Sequence, residues 1–258
     1  MIEILERAAL AAGRVIMDVY EAGPNVVLKA DKSPVTEADE RAETLILQIL
    51  ADALPDIPVV GEESTASGRI PDTSGRSFIL VDPLDGTKEF IHRRDDFTVN
   101  IALIENGVPV AGIVYAPAKR VAYVGSSAGA EKLTVSSDFA VIERTMISVR
   151  GCLKPPIGVA SRSHNSPETD SFLRDNGINE CKSVGSSLKF CLVAEGNADV
   201  YPRYGRTMEW DTAAGDAVLR GAGGRTVCLD GSALCYGKRQ QASDTDFANP
   251  FFIAWGAQ

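Results

Sequence analysis

Asp82-Pro83-Leu84-Asp85-Gly86-Thr87-Lys88 sets two carboxylates, a glycine turn and a hydroxyl into one short stretch. Carboxylate oxygens gathered this way suit hard divalent cations such as magnesium. Pro83 fixes one backbone angle and Gly86 opens conformations closed to most residues, so the chain can fold Asp85 back beside Asp82. Thr87-Lys88-Glu89-Phe90 can then open a helix whose free amides face an anion, which lets cation and phosphate meet at one place. Asp-Gly and Pro are also ordinary turn chemistry, and alone they would mean only a solvated loop. Two more acidic sites strengthen the metal reading. Glu62-Glu63 follow directly on Pro58-Val59-Val60-Gly61, and Asp211 stands in Met208-Glu209-Trp210-Asp211-Thr212-Ala213-Ala214-Gly215 at the start of an alanine-rich helix, where an N-cap carboxylate is the purely structural explanation. Three carboxylate clusters at strand or helix ends describe an oxygen-ligand metal centre.

The elements that must position these acids are readable from periodicity. Phe78-Ile79-Leu80-Val81 is a short β-branched apolar run, a buried strand that delivers Asp82 at its end, at a sheet edge. Residues 1 to about 21 carry apolar side chains at helical spacing, and Thr36 with Asp39 resembles a capping pair opening a helix that ends before Pro55. Capping is the first reading of both. Residues 97–104 and 108–115 are strands joined through Glu105-Asn106-Gly107, a hairpin signal, and residues 121–125 extend the antiparallel sheet. From residue 157 strands and helices alternate: strands at 157–160, 181–184, 199–201 and, last, 226–229, and helices at 167–176, 186–195 and 211–220. That predicts an N-terminal α+β unit over residues 1–150 holding most of the acids and a C-terminal α/β unit over residues 151–258 holding Asp211, closely packed on each other. Residues 126–153 and 230–249 show no motif.

Composition narrows the partner. The chain has 258 residues, is 45% hydrophobic and carries a formal net charge of −9, enough for a sizeable core and unfavourable for a nucleic-acid polymer or an anionic membrane surface. A small anionic substrate then needs local positive charge, which bound divalent cations supply. No apolar run approaches the roughly 20 residues of a transmembrane helix, and a leader pattern is lacking, which predicts a cytoplasmic protein with peripheral contact at the inner membrane left open. Five cysteines without a Cys-x-x-Cys pair suit free thiols in a reducing compartment, and with only His92 and His164 a zinc site has little support.

Gly61-Glu62-Glu63, Asp82-Pro83-Leu84-Asp85-Gly86-Thr87 and Trp210-Asp211-Thr212-Ala213-Ala214-Gly215, in this order, resemble the three-part signature of the inositol monophosphatase-like family of magnesium-dependent, lithium-sensitive phosphatases. Lys88-Glu89-Phe90, the strand at 97–104 and Lys32-Ser33-Pro34-Val35-Thr36-Glu37-Ala38-Asp39 are similar to its 3′(2′),5′-bisphosphate nucleotidase branch. The resemblance covers nearly the whole chain and implies an α+β fold, the layered αβαβα sandwich also found in fructose-1,6-bisphosphatase. It implies that Glu62, Asp82, Asp85, Asp211 and the Leu84 carbonyl hold about two or three magnesium ions, for which manganese could substitute. By the same resemblance Asp39 and Thr87 orient the attacking water, while Thr36 stays structural. Gly86 and Thr87 present amides to the phosphate, and Lys88, Ser161, His164, Ser186, Lys189, Arg203 and Asp211 contact the nucleotide substrate.

The implied reaction is hydrolysis of adenosine 3′,5′-bisphosphate to AMP and phosphate without a covalent enzyme intermediate, clearing a by-product of sulfate assimilation. Two rival readings stand beside it. One is a family phosphatase for inositol monophosphate or a sugar phosphate, disfavoured by Lys88 and Ser161-Arg162-Ser163-His164. The other is a non-catalytic nucleotide or metal sensor, disfavoured because every matched ligand is intact. Oligomeric state, monomer or homodimer, is left open.

Overall fold

The computed structural model describes residues 1–23, 26–28, 34–161 and 166–257. Lys32, Ser33, Arg162, Ser163 and His164, which carry part of the expected branch motif and one expected substrate contact, lie outside the described residues. The first half runs α1 (Ile2–Ala22), β1 (Val26–Leu28), β2 (Pro34–Thr36), α2 (Glu37–Ala53), β3 (Val59–Gly61), α3 (Glu62–Ala66), β4 (Ser77–Asp85), α4 (Thr87–Ile91), β5 (Thr98–Glu105), β6 (Val108–Ala116), β7 (Val121–Ser126), β8 (Gly129–Val135) and β9 (Val141–Ile147). The second half runs β10 (Ile157–Ser161), α5 (Pro167–Asp175), β11 (Glu180–Val184), α6 (Leu188–Ala194), β12 (Val200–Arg203), α7 (Glu209–Gly221), β13 (Arg225–Cys228) and β14 (Phe252–Trp255).

Strands β3 to β9 form a seven-stranded sheet in sequence order, and the second half forms a five-stranded sheet ordered β11-β10-β12-β14-β13. Alternation along the first sheet feeds two cores. Ile79 and Val81 of β4, with Val99, Ile101 and Leu103 of β5, join Leu5, Ile16, Ile46 and Leu50 of α1 and α2. Phe78, Leu80, Ala102 and Ile104 point the other way, onto Phe190, Ala213, Ala214 and Val218 of α6 and α7. The second sheet closes over these helices: Phe252 of β14 stacks on Phe190 with centroids 5.7 Å apart. Trp255, three residues on and therefore on the opposite face, meets Phe172 of α5 at 6.1 Å. The layers are α1/α2, seven-stranded sheet, α6/α7, five-stranded sheet and α5, an αβαβα sandwich. Between the sheets the Arg150 guanidinium donates to both oxygens of buried Asp199, at 3.0 and 2.9 Å.

Asn106 and Gly107 both take positive φ, 51° and 78°, the backbone a two-residue hairpin requires. Several expectations need correction. Asp82 to Asp85 is not a loop at a sheet edge, because β4 lies between β3 and β5 and pairs with β5 as far as Asp85. One extra residue between the pairs Asp82–Asn100 and Asp85–Thr98 makes a bulge. The flank toward β3 is nevertheless open, since β3 ends with Gly61 opposite Val81. Strands β8 and β9 occupy part of the stretch that showed no motif, and β14 follows the strand expected to be last. Among the described residues no helix is long and apolar enough to cross a membrane.

Candidate active site

The β4 bulge brings two acids to one place. Asp82 is 1% exposed, and its Oδ1 accepts the Leu84 amide at 3.0 Å, which holds the turn closed. Asp85 Oδ2 accepts from Asn100 Nδ2 at 3.4 Å, and the same Asn100 amide donates to Ser187 Oγ at 3.1 Å. Gly86, at φ 92°, turns the chain through a left-handed conformation into α4, so that Thr87 Oγ1 reaches both the Leu84 carbonyl at 3.2 Å and Asp39 Oδ1 at 3.3 Å.

Two of the site acids use one local device. Asp39 Oδ2 accepts the Thr36 amide and hydroxyl, each at 2.8 Å, and Asp211 Oδ2 accepts the Met208 amide at 2.7 Å. Each sits three residues past the N-cap and accepts its amide, the carboxylate half of a capping box; Asp211 is not itself the N-cap. Asp39 therefore both caps α2 and meets Thr87.

Glu62 opens α3, and the residue that fixes that helix is Glu43 of α2. Its carboxylate accepts the Glu63 and Ser64 amides at 2.7 Å each and the Ser64 hydroxyl at 2.6 Å. The approach is close enough that a Cβ on Gly61 would lie 2.6 Å from the Glu43 carboxylate carbon. Gly61→Ala is expected to cost about 1–3 kcal/mol, because the buried, triply bonded carboxylate cannot swing away. Thermal melting would show it as a transition several degrees lower, and an unchanged transition would contradict this packing.

A cavity of about 300 Å³ gathers these elements. Glu62, Asp82, Leu84, Asp85 and Asp211 line it with Gly86, Thr87 and Lys88 of the α4 turn, and Ser161, Ser186, Lys189 and Arg203 line it from the second half of the chain. Every sequence-predicted site residue within the described set is thus brought together, Asp39 through Thr87. No three acidic, histidine or cysteine side chains among the described residues close to ligand-cage distance. The acids instead ring the cavity within Coulombic reach of one another.

Burial raises the Asp82 carboxyl well above its usual value, and the charges of Glu62, Asp85 and Asp211 push the same way. Burial likewise raises Asp85, with Lys189, Asn100 and Ser187 pulling back. Asp211 is pushed up to about 8 by burial, then by Asp85 and Glu62, with the Met208 amide and Arg203 opposing. Burial pushes Lys189 down to about 8 against the attraction of Asp85. Its ammonium donates to the Ser186 carbonyl and stands 5.5 Å from the Tyr201 ring centroid. The protein's own cations leave the acids repelling one another, and an all-oxygen donor set with that excess of negative charge fits hard divalent cations.

Sequence reasoning missed Glu43, Asn100, Ser187 and Arg206, the last also lining the cavity. Glu43 carried a signal: four residues after Asp39 and three before Ile46, it falls on the buried face of α2. Asn100 and Ser187 carried none, since their meeting depends on the two halves packing together.

The sequence pattern of the "Inositol monophosphatase family" matches residues 1–250. The chain is 45% identical over 254 residues to the 3′(2′),5′-bisphosphate nucleotidase CysQ of Escherichia coli strain K12, covering 98% of each chain. Among solved structures it resembles CysQ from Bacteroides thetaiotaomicron, described as a bacterial member of the inositol monophosphatase family, with a TM-score of 0.81 and 38% identity over 99% of this chain and 97% of that one. It also resembles an inositol monophosphatase from Anabaena, with a TM-score of 0.74 and 25% identity over 99% and 90% of the two chains. The chain belongs to the inositol monophosphatase family.

Proposed function

We infer that this protein is a 3′(2′),5′-bisphosphate nucleotidase that hydrolyses the 3′-phosphate of adenosine 3′,5′-bisphosphate to AMP and inorganic phosphate, clearing a by-product of sulfate assimilation. The observation that carries this is one cavity lined both by the ring of acids and, from the second half of the chain, by Ser186, Lys189 and Arg203. A substrate with a reacting phosphate and a second, unreactive phosphate uses both. An inositol monophosphate has no second phosphate to offer Lys189 and Arg203.

Glu62, Asp82, Asp85, Asp211 and the Leu84 carbonyl would hold magnesium. When bound, magnesium would offset the carboxylate charge, polarise the phosphate and lower the pKa of water in the site. Asp39 and Thr87 orient the water: the Thr87 hydroxyl gives its hydrogen to Asp39 or to the Leu84 carbonyl, which turns an oxygen lone pair toward the cavity. That lone pair would accept a hydrogen bond from the attacking water, and Asp39, when it holds the Thr87 hydrogen, would take up the proton through Thr87. The Gly86 and Thr87 amides would meet the phosphate oxygens from the cavity wall. Lys88, Ser161, Ser186, Lys189 and Arg203 fix the nucleotide, with the Arg203 guanidinium braced on the Gly205 and Arg206 carbonyls at 3.1 and 3.2 Å. Alignment and preorganised charge carry the rate, as the slowness of uncatalysed monoester hydrolysis demands.

Phosphorus NMR of the reaction tests the assignment of the scissile bond. The 3′-phosphate resonance of adenosine 3′,5′-bisphosphate is expected to give way to inorganic phosphate while the 5′-phosphate persists as AMP. Accumulation of adenosine 3′-phosphate would overturn it.

A further inference from the structure

The stretch between β13 and β14 showed no sequence motif, yet it wraps the end of α7 that carries Asp211. Glu209, two residues before Asp211, is fully buried, and its carboxylate accepts the Gly237 amide at 2.6 Å and the Lys238 amide at 2.9 Å. The Lys238 ammonium closes on the same carboxylate at 2.7 Å and donates to Asn249 Oδ1 at 3.2 Å. Asn249, 6% exposed, places its amide nitrogen 2.7 Å from the Met208 carbonyl, 3.0 Å from Thr212 Oγ1 and 3.2 Å from Thr207 Oγ1. The backbone is held as well: the Asn249 amide donates to the Thr207 carbonyl at 2.9 Å and the Glu209 amide to the Phe247 carbonyl at 2.8 Å. The segment braces itself through Lys238 O with the Phe247 amide at 2.8 Å and through Arg239 with Asp246 at 2.8 Å.

These bonds lead to one residue, Met208. The Met208 amide is the donor that holds Asp211 Oδ2, and Met208 is the residue that Asn249 grips by its carbonyl. We propose that Asn249, locked by Lys238 and Glu209, is a positioning residue that sets the Asp211 carboxylate for metal binding, so that the C-terminal segment is a working part of the active site. This rests on the reading of Asp211 as a metal ligand. Partners that orient a ligand typically govern metal affinity by about 10- to 100-fold, through geometry and basicity and without touching the ion.

The test measures Mn²⁺ affinity by electron paramagnetic resonance of free Mn²⁺, on folded protein without substrate. Asn249→Ala, and Asn249→Asp, which keeps the oxygen facing Lys238 but has no amide hydrogens, are both expected to weaken Mn²⁺ binding roughly tenfold. Arg150→Gln, which removes the distant partner of buried Asp199, destabilises the fold and is expected to leave Mn²⁺ affinity unchanged. Should the Asn249 variants not fold, Lys238→Met, which removes the ammonium shared by Glu209 and Asn249, is read the same way. Variants that fold and bind Mn²⁺ as tightly as the parent, or an equal loss in Arg150→Gln, would overturn the positioning role alone. Absence of Mn²⁺ binding in the parent would overturn the metal reading beneath it.

Discussion

Asp85→Asn is expected to slow phosphate release by roughly 10³-fold or more while the protein melts no earlier than its parent. The two halves of that expectation have one cause. Asp85 adds its charge to the repulsion that raises Asp82 and Asp211, and it is itself raised by burial. The amide is nearly the same shape and removes one of the buried charges, so the metal-free fold gains by the exchange. Asn100 and Ser187 remain alongside to hydrogen-bond the new side chain. What the amide cannot do is supply the negative charge that a divalent cation needs at this corner. Phosphate release and thermal melting on the same preparation check both halves. Activity within about tenfold of the parent would sink the assignment of Asp85 as a metal ligand.

Metal-free protein is expected to lose stability as pH rises from about 4 to about 8, and magnesium is expected to restore it most at the alkaline end. Asp82, Asp85 and Asp211 are raised in the folded chain from an ordinary value of 3.8, Asp211 to about 8. Over that window the folded chain therefore holds protons that the unfolded chain has released, and stability falls with pH. Lys189, lowered from 10.5 to about 8, works in the opposite sense and only above the window. Exposed acids held low, such as Asp244 by Arg206, act below it. Magnesium held by the ionised carboxylates would stabilise only the folded chain, so its effect is expected to grow as those groups lose protons. Calorimetric melting across the window, with chelator and with magnesium, reads both slopes. A metal-free transition that climbs with pH, or a magnesium gain equal at both ends, would contradict the electrostatic account of the site.

The chemistry of the acids was legible because it is local. Asp82, Asp85 and Gly86 lie in one bulge and one left-handed turn, and their types, together with the acids at 62 and 211, announce them. The hairpin at Asn106-Gly107 was legible for the same reason. Strand β9 was not: Ile142, Glu143, Arg144, Thr145 and Met146 are all exposed, so no alternation of burial marks the sequence. The missed β14 is four residues long and follows a proline. Asp39 read as a helix cap, which it is; its meeting with Thr87 spans 48 residues and depends on α2 packing against the sheet. Lys189 and Arg203 were reached only through the family resemblance, since no spacing ties a lysine on α6 to an acid on β4. Glu209, Lys238 and Asn249 are ordinary polar residues in sequence, and only the fold gives them a common target.

The most direct measurement is phosphate release with magnesium, with and without lithium, from adenosine 3′,5′-bisphosphate, inositol 1-phosphate and fructose 1,6-bisphosphate at equal concentration. The account predicts strong preference for the adenosine compound and its suppression by lithium. Faster release from either of the other two would contradict the nucleotide reading, and no release from any would contradict the enzyme itself.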